Sequence, residues 1–183
     1  MNKILSGILF IVLFFEAKSQ VPFRLRSDLL LNTDQVYQSG IPTSESLESA
    51  VNQKQQFQFA YISNKQPHFS WEVANATVSA YRILFASNAQ LLDQNKADLW
   101  NTQKVKSTKN KAIYNGTPLT SGKVYYWKVQ VWDDKGRTSG FSKTSSFYLD
   151  TPNEAEPFSH QPLSAEIQEP VQIIKTGSDA HFL

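Results

Sequence analysis

One run constrains the fold more than any other part of the chain: KVYYWKVQVW, residues 123–132. Read with period two, it places Tyr125, Trp127, Val129 and Val131 on one side and Tyr126, Lys128, Gln130 and Trp132 on the other. The first set is wholly apolar or aromatic and demands burial, at about 1.5–3 kcal/mol for each side chain enclosed. The second set is mixed, and its two rings stand roughly 20 Å apart at about 3.3 Å per residue, so one sugar ring cannot touch both. Such a strand needs neighbours on either side and a second layer beneath its apolar face.

The neighbours are legible. QFQFAYI from Gln56 alternates through Phe57, Phe59 and Tyr61; HFSWEV from His68 alternates through Phe69, Trp71 and Val73. AYRILFAS from Ala80 gathers Tyr81, Ile83 and Phe85 and turns Arg82 the other way. Leu91 and Leu92 suggest one helical turn before Leu99 and Trp100 return to the core, and KAIYNG from Lys111 reads as a short strand closed by an Asn115-Gly116 turn. In the DDKG turn Gly136 supplies a positive φ, so the long strand and SKTSSFYLD from Ser142 should form a hairpin. Trp71 is placed opposite Trp127 or Tyr125. Leu119 and Tyr125, six residues apart across Gly122, have the spacing of a tyrosine corner. Together these features predict an all-β fold, an antiparallel fibronectin type III-like sandwich over residues 56–150, with one face of each sheet wet.

The flanks read differently. Lys3 precedes an apolar run over residues 4–15, followed by Ala17-Lys18-Ser19, which predicts a signal peptide over residues 1–19, cleavage before Gln20, and an exported protein in the periplasm or secreted. The chain has no cysteine, so stability must come from burial without disulfides. Residues 20–55 form an N-terminal extension in which RLRSDLLLN could be a strand. Leu47, Ala50 and Val51 behind Pro42, with Thr43 or Ser44 as cap, predict a helix of about three turns. Proline- and glutamate-rich residues 151–170 read as a linker, and residues 171–183 as the first strands of a second β-domain whose remainder is missing, since a lone hairpin cannot bury its own face.

Chemistry is sparse. The paired acids Asp133/Asp134 and Glu154/Glu156 fall in a turn and a linker and read as solvated groups, unlike the two cleft carboxylates that glycoside hydrolysis uses. His68, His160 and His181 have no ligand-spaced partners, and no phosphate, dinucleotide, zinc-protease or nucleophile-elbow motif occurs. No catalytic, cofactor or metal residue is expected. A net charge of +2 offers no argument for a polyanionic partner. The candidate contacts are Tyr126 and Trp132, touching either a sugar or another domain, and interdomain contact is the commoner use of such rings.

PHFSWEV from Pro67, AYRILFASN from Ala80, LLDQNKADLWNTQKVKS from Leu91, YNGTPL from Tyr114 and KVYYWKVQVWDDKGRTSGFS from Lys123 resemble, in this order, the N-terminal β-sandwich of bacterial α-L-rhamnosidases. Val78-Ser79 and Asn101-Thr102-Gln103 depart from the family pattern and are expected in loops. The resemblance implies a non-catalytic accessory domain of an exported enzyme that removes terminal α-L-rhamnose, with the catalytic acids in a downstream barrel outside this chain. The implied partners are the parent's downstream domains and rhamnose-containing glycans. An independent carbohydrate-binding module or a cell-surface interaction module is the alternative.

Overall fold

The computed structural model describes residues 20–151. The expected signal peptide, His160, His181, Glu154, Glu156, the rest of the expected linker after Thr151 and the expected second domain lie outside these residues. In chain order the elements are β1 (Phe23–Ser27), β2 (Leu30–Leu31), β3 (Val36–Gln38), β4 (Ile41–Pro42), α1 (Leu47–Asn52), β5 (Gln58–Phe59), β6 (Tyr61–Ile62) and β7 (His68–Glu72). Next come β8 (Val78–Ala86), α2 (Ala89–Asp93), β9 (Trp100–Asn101), β10 (Val105–Lys106), β11 (Lys111–Ile113), β12 (Lys123–Asp133) and β13 (Ser145–Leu149).

Two sheets form the sandwich. One has the order β11-β7-β1-β2, the other β10-β8-β12-β13-β6, with β9 also on β8. All pairings are antiparallel except β6 with β13, which run parallel. Between the sheets the inward set of β12 is buried as its alternation demands: Trp127, Val129 and Val131 are fully enclosed and Tyr125 is 4% exposed. They meet Phe69, Trp71, Ile83, Phe85 and Phe147 in one apolar cluster. The cross-sandwich pairing differs from expectation, because Phe69 packs on Trp127 with centroids 4.5 Å apart and rings tilted by 35°, whereas Trp71 packs edge-on against Tyr81 at 5.2 Å. The tyrosine corner is present. Tyr125 Oη accepts from Thr120 N at 2.7 Å and donates to Thr120 O at 3.0 Å, above a buried Leu119.

The sandwich does not begin at residue 56. β1 pairs with β7, and Trp127 Nε1 donates to the buried Ser27 Oγ at 3.1 Å, so the supposed extension supplies a strand of the first sheet. A register shift between Phe23 and Arg26, with Arg24 at φ 47°, breaks the alternation that would have revealed it. The expected run through Tyr61 also fails. Phe59 joins a small β4-β3-β5 sheet, and in β6 it is Ile62 that is buried while Tyr61 faces solvent. α1 is six residues long rather than three turns, and its cap is Ser46, whose Oγ accepts from Ser49 N at 3.2 Å.

Two turn expectations divide. Gly136 has φ +75°. Gly116 does not need a positive φ; a Cβ there would lie 2.5 Å from Leu99 O and 2.6 Å from Trp100 Cβ, so this glycine serves close approach. β12 and β13 pair with Tyr125 opposite Phe147, but the connection is longer than a hairpin turn. Ser139 and Ser142 fill the gap: their backbone N–H groups donate to Val131 O and Val129 O, and their buried hydroxyls accept from Val131 N and Val129 N. The departures from the family pattern lie partly in strands, with Val78-Ser79 opening β8 and Asn101 in β9.

Candidate functional site

The outward face of β12 was expected to be wet, and half of it is not. Tyr126 is 6% exposed and Lys128 7%. Their cross-strand partners on β8 are Ala86 and Leu84, also buried. The cover is α2 with the loop after it: Leu92 is fully buried against Leu84, Ala86 and Tyr126, with Leu91, Ala97 and Phe141 around it. Asn88 Oδ1 caps this short helix by accepting from Leu91 N at 3.1 Å, and Asn95 at φ 55° ends it. Lys128 then enters from beneath. Its Nζ donates to Leu92 O and to Asn95 Oδ1 at 2.7 Å, and it lies 4.7 Å from the Phe141 ring centroid. Burial holds its amine below the ordinary lysine value, with the charge of Asp93 pulling part of the way back. Tyr126 Oη has no partner among the described residues. Tyr126 is therefore no sugar platform, because the protein's own helix closes over it.

Trp132 lies on the other half of the same face and is partly exposed. Register assembles a site around it. Trp132 pairs with Ala80 and Ala80 with Lys106, while Gln130 pairs with Arg82 in the next row. Cross-strand partners share a face, so Trp132 and Lys106 stand about 10 Å apart, two strand spacings, on either side of Ala80, which is itself buried. Lys104 Nζ sits 4.6 Å from the Trp132 centroid in a cation–π contact. Arg82 Nε donates to Asn101 Oδ1 at 3.1 Å, and Gln130 Nε2 donates to Ser139 O at 2.8 Å. Arg82, Lys104 and Lys106 form no ion pair among the described residues.

The turn after Trp132 is held by an acid that the sequence suggested was solvated. Asp133 is 1% exposed and accepts from Lys135 N at 3.0 Å, Arg137 N at 2.8 Å and Arg137 Nε at 2.7 Å. Burial alone would raise its pKa, but the bonds from Arg137 and Lys135 outweigh that and hold it below the ordinary carboxylate value. Asp133 is thus structural. Asp134 beside it is exposed. Elsewhere, a groove of about 640 Å³ beside β1, between Val21–Leu25 and Lys143–Ser145, has Asp34 as its one carboxylate among the described residues. Among the described residues no cluster of His, Asp and Glu could hold a metal ion, and no helix is long and apolar enough to cross a membrane. His68 is exposed, with Nδ1 3.6 Å from Asp28.

The family model described as Rha78A-like, N-terminal immunoglobulin domain matches residues 49–150. The chain belongs to this family. Among relatives of the Rha78A-like domain, an α-L-rhamnosidase of Formosa agariphila is 40% identical over 93 residues, 48% of this chain and 10% of the relative. One of Streptomyces avermitilis is 37% identical over 84 residues, 43% of this chain and 8% of the relative. The solved α-L-rhamnosidase from Dictyoglumus thermophilum superposes with a TM-score of 0.56 at 26% identity, covering 75% of this chain and 13% of that one. The chain thus spans about a tenth of the length of the curated relatives it matches. An immunoglobulin-type sandwich and a fibronectin-type one share the two-layer architecture seen here.

Proposed function

We propose that this chain is a non-catalytic accessory sandwich of an exported α-L-rhamnosidase, a part that supports the downstream domains of such an enzyme rather than performing its chemistry. The observation that carries the reading is the family match over residues 49–150, together with α-L-rhamnosidase relatives that the chain matches over a tenth of their length. The acids of the sandwich support it. Asp133 is consumed by a turn, and Glu72 lies on an outer sheet face paired with Arg26 at 2.6 Å. Neither belongs to a two-carboxylate cleft of the kind that glycoside hydrolysis requires. The sequence pattern over residues 1–19 supports export.

The test is direct. The purified chain, incubated with 4-nitrophenyl α-L-rhamnoside, should release no nitrophenol above the buffer control, whereas turnover that persists through purification would contradict the proposal. Fractionation with mass spectrometry of the N-terminus should find a mature chain starting at Gln20 outside the cytoplasm.

A further inference from the structure

We propose that the patch around Trp132 binds an anionic sugar, a uronate unit of an acidic glycan, through ring stacking on the indole and charge pairing with Arg82, Lys104 and Lys106. The choice of a glycan over another polyanion rests on the proposed relation to glycoside hydrolases; the choice of a negative charge does not. Three cationic side chains share one face: register puts Lys106 in the row of Trp132 and Arg82 one row away opposite Gln130, and Lys104, just before β10, reaches over the indole. None of the three is held in an ion pair among the described residues, and from residue 99 to residue 132 the chain has no aspartate or glutamate, while Lys104, Lys106, Lys109 and Lys111 all fall there. Asp133 is buried and spent on Arg137, and the exposed Asp134 beside it forms no ion pair with any of the three among the described residues.

The chemistry of each group fits a carboxylated ring. An indole offers a flat apolar surface to the C–H face of a pyranose; Trp132 is partly exposed, and a sugar stacking on the side where Lys104 Nζ lies would displace that ammonium towards its carboxylate. Lys104 already marks the indole as a place where positive charge resides. Arg82 spends its Nε on Asn101, which fixes the guanidinium plane and leaves its terminal nitrogens for a planar carboxylate, the group that fork geometry matches best. Gln130 is likewise anchored through its Nε2, leaving its amide oxygen to accept from a sugar hydroxyl. The distance of about 10 Å between the Trp132 and Lys106 strands matches one or two pyranose units rather than a long strand of polymer.

The test is titration of the full chain, followed by tryptophan fluorescence and calorimetry, with sodium oligogalacturonate, with the same oligosaccharide fully methyl-esterified, with uncharged dextran and with poly-L-glutamate. The expected result is saturable binding of oligogalacturonate that weakens as salt is raised and falls at least tenfold for the ester and for dextran. Lys104→Gln/Lys106→Gln, both exposed positions that leave the fold intact, should lower affinity at least tenfold, and Trp132→Ala should do the same. No saturable binding, equal binding of the ester, or unchanged affinity in the double variant would overturn the proposal. Poly-L-glutamate bound as tightly as oligogalacturonate would overturn its assignment to a sugar. These outcomes are independent of rhamnoside turnover, so the accessory-domain reading and the binding patch stand or fall separately.

Discussion

The two halves of the outer face of β12 share one strand, one sheet and one alternating pattern, yet they meet opposite fates. The half bearing Tyr126 and Lys128 is closed by α2, which seats Leu92 on Leu84 and Ala86. The half bearing Gln130 and Trp132 stays open and collects Arg82, Lys104 and Lys106. Period-two alternation decides which side chains point outward, but it does not decide what lies above them. That is settled by residues 88–97, which leave the end of β8 and fold back over one half of the sheet.

The largest effect that can break this comparison is at Leu84, which points outward on its strand but is fully buried. Leu84→Ala should cost about 2–5 kcal/mol in guanidinium unfolding, as core truncations do. A loss near that of a surface substitution, within about 0.5 kcal/mol, would mean that α2 does not seal this half. At the open end, Asp133→Asn should lower stability less than Leu84→Ala and flatten the acid limb of the unfolding curve. The sign comes from its lowered pKa: the carboxylate stabilises the fold above the ordinary value of 3.8, and this contribution is lost as pH falls from there through the folded value.

Lys128 sharpens the covered half from the alkaline side. Its lowered pKa means that keeping the buried amine charged opposes folding at neutral pH, and that this cost fades as pH rises through the folded value towards the ordinary 10.5. Unfolding free energies measured from pH 7 upward should therefore rise more for the parent than for Lys128→Gln. The smallest change is Tyr126→Phe. Its hydroxyl is buried without a partner among the described residues, so removing it should leave stability within about 0.5 kcal/mol of the parent or raise it slightly.

Much of the inner architecture is legible because burial writes itself into alternation. Phe69, Trp127, Val129 and Val131 can be placed from spacing alone, and the Leu119/Tyr125 corner from a single turn. β1 does not read as part of the sandwich because its register shift at Arg24 erases the alternation. Tyr126 reads as exposed because a charged neighbour, Lys128, makes its face look wet; nothing in residues 123–132 shows that this amine reaches Leu92 O under a helix. The cationic patch is hidden for the opposite reason. A net charge of +2 averages over the chain, whereas sheet register concentrates Arg82, Lys104 and Lys106 on one face.

The most direct test of the divided face is lysine acetylation of the native chain, tracked residue by residue by mass spectrometry. Lys104 and Lys106 should react at the rate of exposed amines while Lys128 remains protected until the protein unfolds. Native-state labelling of Lys128 at the same rate as Lys104 would show that the half assigned to α2 lies open, and the account of two halves would be wrong.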